Sequence, residues 1–330
     1  MKISPRRFLL QFLFLWFYLG ACPLAVQHFL SGTASGVLPE STISPAPSPA
    51  VIQENDTDSL RILDTSTGAT LYLSEADFLP LAVLCALSPD APDAAVQAQA
   101  VAIRSTAWYA HLHNTTDGAD FTCSTEDLHV YAPAEKFADL YGDAWPDIHA
   151  RITSLCRETE NLVLTYSGSV VPAPFFAVSA GCTQPADAVE GTADLAWLTA
   201  VPCPTDLLRP DCRAETTLTP DTVRAAFPGI AFTESPETWF SESVRSTSGY
   251  VESINLCGTA LSGQDVREAL SLRSAAFSVS FDGENFRMLT LGAGDGVGMS
   301  QAGALYLAET GADYRSILAY FYPGTELATK

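Results

Sequence analysis

Few positions in this 330-residue chain have side chains suited to chemistry, and each has a plain structural alternative. Cys85 lies in an apolar stretch, where a thiol is buried and inert; a nucleophile needs a lowered pKa and access. His111 and His113 form a His-x-His pair with Asn114 and Asp117 close by. Two helical residues at that spacing point about 200° apart, so chelation requires the helix to have ended. Cys123 and His129 are of the right types for a metal site, but no complete Cys/His ligand set at zinc spacing accompanies them. Neither a metal nor a cofactor is expected. Gln99 and Arg104 sit among small residues on a helix that must pack closely, and polar groups there need partners. Ser179 and Thr183 follow an apolar strand and can offer hydroxyls to a ligand or to their own turn. Gln301 opens a helix beside Ser300, where backbone N–H groups are free.

These residues are carried by a mixture of hairpins and helices. Arg61–Asp64 and Thr70–Leu73 flank Ser66-Thr67-Gly68 as a hairpin. Ser74, with Asp77 three residues on, starts a helix over Glu75–Leu87 in a capping-box-like arrangement. Pro89 and Pro92 end that helix, and Asp93 caps a second one over Ala94–His113. Asn161–Tyr166 and Val170–Val178 read as strands split by Ser167-Gly168-Ser169. Further strands are expected at Tyr250–Leu256, Ala276–Phe281 and Phe286–Leu291, the last two turned by Asp282-Gly283. Gln301–Thr310 is predicted helical, ended by Gly311. Asp313 caps a final helix through Tyr320. With no βαβ rhythm, the expected class is α+β, mixed β-hairpins and sheets with packed helices.

Ahead of this region, Lys2, Arg6 and Arg7 precede an apolar run from Phe8 to Val26, about 19 residues and near the length that spans a bilayer. The basic flank is expected to stay cytoplasmic and the rest of the chain to lie outside. Residues 1–30 are therefore read as an N-terminal transmembrane anchor; the rival is a lipoprotein signal ending at Cys22. Residues 31–59, rich in Ser, Pro and Ala, read as a disordered linker. The folded domain is expected over 60–327. Seven of the eight cysteines follow the anchor, in a compartment that tolerates disulfides. Cys203 and Cys212 flank a Pro-rich loop and are the first expected disulfide; Cys123 with Cys156 is the second. The net charge of -21 repels polynucleotides, so nucleic acid is excluded as a partner while neutral glycan or a basic protein is not.

Three blocks stand out: a C-terminal one, made of Gly292-Ala293-Gly294-Asp295-Gly296-Val297-Gly298-Met299-Ser300-Gln301-Ala302-Gly303-Ala304 and the tail Tyr314–Leu327, a second at Ala95–Ser105 and a third at Ser179–Gln184. They resemble the sporulation stage II protein D (SpoIID)/LytB amidase-enhancer family: the C-terminal block is similar to its GxGHGVGMSQxGA signature and YxxILxxYYPGTEL ending, the second to ALKAQAVAARTY and the third to SGGxTE. The blocks keep the family's order across about residues 60–327.

The resemblance implies a wall protein acting on peptidoglycan glycan strands as a lytic transglycosylase. Such cleavage needs one carboxyl that first protonates the leaving oxygen and then takes a proton from the sugar's own hydroxyl. The position matching that glutamate is Ala86, and no glutamate occurs between Glu75 and Glu126. The position matching the family histidine is Asp295, alternatively a residue that caps its turn. Asp90, near the lost glutamate, is the candidate substitute, with Asp295 as a second carboxylate; alternatively Asp90 is a loop residue. The resemblance places Gln99, Arg104, Ser179, Thr183, Ser300 and Gln301 as glycan-binding candidates. The expected function is binding of glycan strands during sporulation, at engulfment, on the outer face of the cell membrane, without the family's cleavage. The alternatives are an amidase-enhancer-like partner of a wall hydrolase and a divergent active enzyme.

Overall fold

The computed structural model describes residues 59–113, 118–188, 195–233 and 235–330. The expected anchor over 1–30 and the linker up to residue 58 lie outside these, as do Asn114 and Asp117. No helix among the described residues is long and apolar enough to cross a membrane.

The predicted first hairpin is β1 (Leu60–Asp64) with β2 (Thr70–Leu73), and β3 (Phe121–Cys123) adds to β1 in parallel. Asp64 ties this sheet to its loops. It accepts from the Ser66 amide and hydroxyl, the Thr67 hydroxyl and the Thr125 hydroxyl. Burial alone raises its pKa, but these donors hold the carboxyl far below the usual range. Ser74 caps α1 (Glu75–Ala86) by accepting from the Asp77 amide. Phe78 through Cys85 are all buried, so α1 is a core helix with no polar face. The alanine-rich α2 (Asp93–His113) lets its neighbours approach closely, and it packs against α1 and against elements from the far end of the chain.

Residues 134–158, unassigned from the sequence, form α3 (Ala134–Tyr141) and α4 (Trp145–Glu158), broken by Gly142 in a left-handed conformation (φ 54°). The single strand expected over Val170–Val178 is instead two short pieces, β5 (Ser169–Val170) and β6 (Phe175–Phe176). Pro172 and Pro174 lie between them and have no N–H for a ladder. β4 (Leu162–Tyr166) pairs with β5.

Within the expected domain of residues 60–327, a lobe with its own apolar centre is inserted between Cys212 and Gly292. It comprises β7 (Arg213–Leu218), α5 (Pro220–Ala226), β8 (Phe240–Arg245), β9 (Val251–Leu256), β10 (Thr259–Ser262), α6 (Gly263–Ala269), β11 (Phe277–Phe281) and β12 (Phe286–Leu291). Two three-stranded sheets, ordered β10-β9-β8 and β11-β12-β7, enclose Val223, Trp239, Leu256, Val266, Phe286 and Met288. The chain then returns to the main lobe as β13 (Met299–Ser300), α7 (Gln301–Glu309), α8 (Tyr314–Phe321) and β14 (Glu326–Thr329). β14 pairs with β4, and α7 and α8 pack on α2, so both ends of the described chain meet in one body.

Candidate functional site

The end of α1 and the start of α7 meet at Ala86, beside the second turn of α2. α1 stops there because Leu87 turns extended (φ -132°, ψ 152°) ahead of Pro89. The next loop is held from behind by Arg151, which donates to the Pro89 and Ala91 carbonyls at 2.6 and 2.8 Å and pairs with Asp93. From the start of α7, Gln301 Nε2 donates to the Ala86 carbonyl at 2.8 Å and to Gln99 Oε1 on α2 at 3.3 Å. Gln301 is 9 % exposed and Gln99 is fully covered. Gln301 Oε1 accepts no hydrogen bond from the described residues, whereas Gln99 Nε2 is buried without a partner. Of the two amides, that of Gln301 meets the alanine that stands at the candidate acid position, and that of Gln99 meets Gln301.

Gln301 is held in place by the turn before it. Gly298 has φ +86°, and a Cβ there would lie 2.0 Å from the Pro174 carbonyl oxygen, so only glycine allows this approach of the two segments. Met299 N donates to that same carbonyl, and β13 lies parallel to β6. Ser300 caps α7 by accepting from Gly303 N at 3.2 Å, and its hydroxyl donates to Asp206 Oδ2 at 2.6 Å. Asp206 also accepts from the Ser179 amide at 2.8 Å and is 1 % exposed. This carboxylate, hidden in the Pro-rich loop, escaped the sequence reading. An aspartate between cysteines and prolines looks like a surface loop residue, and its partner Ser300 is 94 positions away.

The other candidate residues serve internal bonds. Arg104 is 2 % exposed; it pairs with Glu75 and donates to the Cys156 and Leu162 carbonyls. Burial raises the Glu75 pKa, but Arg104 and Lys330 together bring it below the usual range. Ser179, Thr183 and Ser300 are fully covered. The Thr183 hydroxyl accepts from Val201 N at 2.8 Å, and the Ser179 hydroxyl accepts from Gly181 N at 3.1 Å. Cys203 and Cys212 are buried free thiols, not the expected disulfide, because each sulfur turns to a different carbonyl, Val201 and Ser179 respectively. Cys123 and Cys156 are likewise free, and burial pushes both thiols up to about 12. His111 faces Asp120, and His113 bonds to the Tyr109 carbonyl. Among the described residues no group of three or more His, Cys, Asp or Glu is placed to hold a metal ion.

The two candidate carboxylates are placed differently. Asp90 is exposed, and its amide donates to the Ser88 hydroxyl. Asp295 is 8 % exposed; its Oδ1 accepts from Val297 N at 3.0 Å, closing the glycine-rich turn as the capping alternative predicts. Burial raises its pKa. Neither is bonded to Ala86, Gln99 or Gln301. The groups converging on Ala86 are therefore neutral amides and a carbonyl. They can pair with hydroxyl or acetamido groups, but none can pass a proton to a leaving oxygen.

Comparison with known proteins agrees with the motif blocks. The pattern of the family described as SpoIID, stage II sporulation protein, matches residues 65–166. The stage II sporulation protein D of Bacillus subtilis is 29 % identical over 238 residues, covering 71 % of this chain and 68 % of the relative. That of Bacillus amyloliquefaciens is 30 % identical over 204 residues, covering 62 % of this chain and 58 % of the relative. An uncharacterized protein of Brachyspira hyodysenteriae is 26 % identical over 256 residues, covering 73 % of this chain and 63 % of the relative. The chain thus spans less than two thirds of the length of the second and third relatives.

Proposed function

We propose that this chain is a sporulation cell-wall protein of the stage II sporulation protein D family that holds peptidoglycan glycan strands without cleaving them. One observation carries the reading: alanine stands at position 86, where cleavage calls for a carboxyl, and the Gln301 amide closes onto its carbonyl. Gln301 Oε1 is the group offered to a sugar hydroxyl or acetamido N–H, and Gln99 is a positioning residue that fixes the Gln301 amide. The N-terminal apolar run would keep this body at the outer face of the membrane, close to the wall.

Pelleting of the full-length chain with insoluble peptidoglycan tests the reading. Retention in the pellet, reduced about tenfold in affinity by Gln301→Leu, is the expected result, a loss of about 1.4 kcal/mol. A chain left wholly in the supernatant would end the glycan-binding proposal. Ala86→Glu sharpens it: glycan cleavage gained by that variant alone would mean that the site retains everything but the acid.

The net charge of -21 favours a second reading, in which a basic wall hydrolase docks on the protein and is stimulated by it. Addition to a purified wall amidase tests this; an unchanged rate at saturating protein counts against it.

A further inference from the structure

Two of the motif blocks are pinned to a single atom. Asp206 lies in the Pro-rich loop, 1 % exposed. Its Oδ2 accepts from the Ser179 amide at 2.8 Å and from the Ser300 hydroxyl at 2.6 Å. Ser179 opens the Ser179–Gln184 block, and Ser300 ends β13. The other oxygen, Oδ1, is buried and accepts nothing. It lies against the first turn of α7: a Cβ on Gly303 would be 3.6 Å from Oδ1 and 2.9 Å from Phe321 Cζ, so the carboxylate and α8 fill the space beside that turn.

A buried acceptor left unmade is costly, and an amide or an apolar side chain of the same size would place no charge there. What the carboxylate does, and these do not, is accept hydrogen bonds without offering any. The Ser300 hydroxyl caps α7 by accepting from Gly303 N at 3.2 Å, so its own proton must go to a group that has none to give. An amide at position 206 could turn its NH2 toward Ser300 and compete with Gly303 for the same oxygen. Asp206 cannot, and the polarity of the cap is fixed. Gln301 is the next residue, the first of α7. Its amide donates to the Ala86 carbonyl at 2.8 Å and to Gln99 Oε1 at 3.3 Å, which leaves its own Oε1 uncommitted. A slipped cap would carry this amide off its acceptors, because a bond of 3.3 Å has little length to spare.

We infer that Asp206 is a positioning residue for Gln301: a carboxylate that touches no ligand and fixes, through the Ser300 hydroxyl, where Gln301 Oε1 is offered. The loop between Cys203 and Cys212 is thereby part of what shapes the site. The effect on affinity rests on the glycan-holding reading; the placement of Gln301 does not.

A double-mutant cycle tests it. Asp206→Asn keeps the shape of the side chain. In the full-length chain it is expected to weaken pelleting with insoluble peptidoglycan about fivefold, and to weaken it no further once Gln301 is replaced by leucine, since coupled residues do not add. The same loss in both backgrounds, or no loss in either, overturns the inference. Ser300→Ala breaks the bond from the other side and is expected to give the same result, so the cycle can be run where Asp206→Asn does not fold. The second measurement needs no ligand. In the full-length chain labelled with heavy nitrogen at glutamine, the Gln301 side-chain NH2 resonances are assigned by their loss in Gln301→Leu. They are expected to shift in Asp206→Asn, while those of Gln97, bonded to Glu158 at 2.7 Å, stay in place. Unmoved Gln301 resonances, or an equal shift of those of Gln97, overturn the inference. A wild-type chain that does not pellet ends the glycan reading, and the resonances then decide alone for Asp206.

Discussion

Arg104 and Arg267 are both buried, and they are used in opposite ways. Arg104 lies in the main lobe, where one nitrogen pairs with Glu75 and the others reach carbonyls of α4 and β4. Arg267 lies at the edge of the inserted lobe with its carboxylate-binding edge empty. A buried guanidinium with all its donors engaged fixes the elements around it, because removing any partner strands a charge. One with idle donors loses little when its surroundings shift. The main lobe, which carries Ala86, Gln99 and Gln301, is thus tied together through Arg104, whereas Arg267 ties its surroundings only through one long contact to Gln264.

Substitution of the two arginines gives the largest contrast. Arg104→Met is expected to cost about 3–5 kcal/mol in chemical denaturation, because Glu75 is left half-buried with a weaker partner. Arg267→Met is expected to cost no more than about 1–2 kcal/mol, since its fork has no bond to lose. Equal costs would break the comparison. Glu75 provides a pH signature for the ties made by Arg104. Its folded pKa is lowered, so the stability it contributes is complete above its unfolded value and is lost as the pH falls through the folded one. The stability difference between wild type and Glu75→Gln should therefore shrink as the pH is lowered from about 6 to about 3. A difference that widens on acidification would reverse the assignment. The smallest effect is expected at Lys330, which pairs with the other oxygen of Glu75 at 2.6 Å and lies 4.0 Å from the centre of the Trp108 ring. Lys330→Ala should cost about 1 kcal/mol, reduced by salt.

Local signals were sufficient for the parts of the fold that local chemistry dictates. Ser74 with Asp77 marked the start of α1, Asp313 the start of α8, and Asp282-Gly283 the turn between β11 and β12. The inserted lobe was not legible. Its boundaries are single residues, Cys212 and Gly292, that meet only in the folded chain. The roles of the polar residues were hidden for the same reason. A serine after an apolar strand has the same sequence context whether it faces a sugar or, like Ser179, caps its own turn. The contact that defines the site, Gln301 to Ala86, joins positions 215 apart. The motif resemblance brought those two residues together on the page, but it could not say that their neighbours Arg104, Ser179, Thr183 and Ser300 lie beneath the surface.

Mass spectrometry of glycan strands after incubation with the full-length protein tests the central claim most directly. Intact strands, recovered bound to the protein, are the predicted result, since the side chains converging on Ala86 are amides. Anhydro-ended fragments would contradict the account and turn attention to Asp90 and Asp295 as the acid that replaced the missing glutamate.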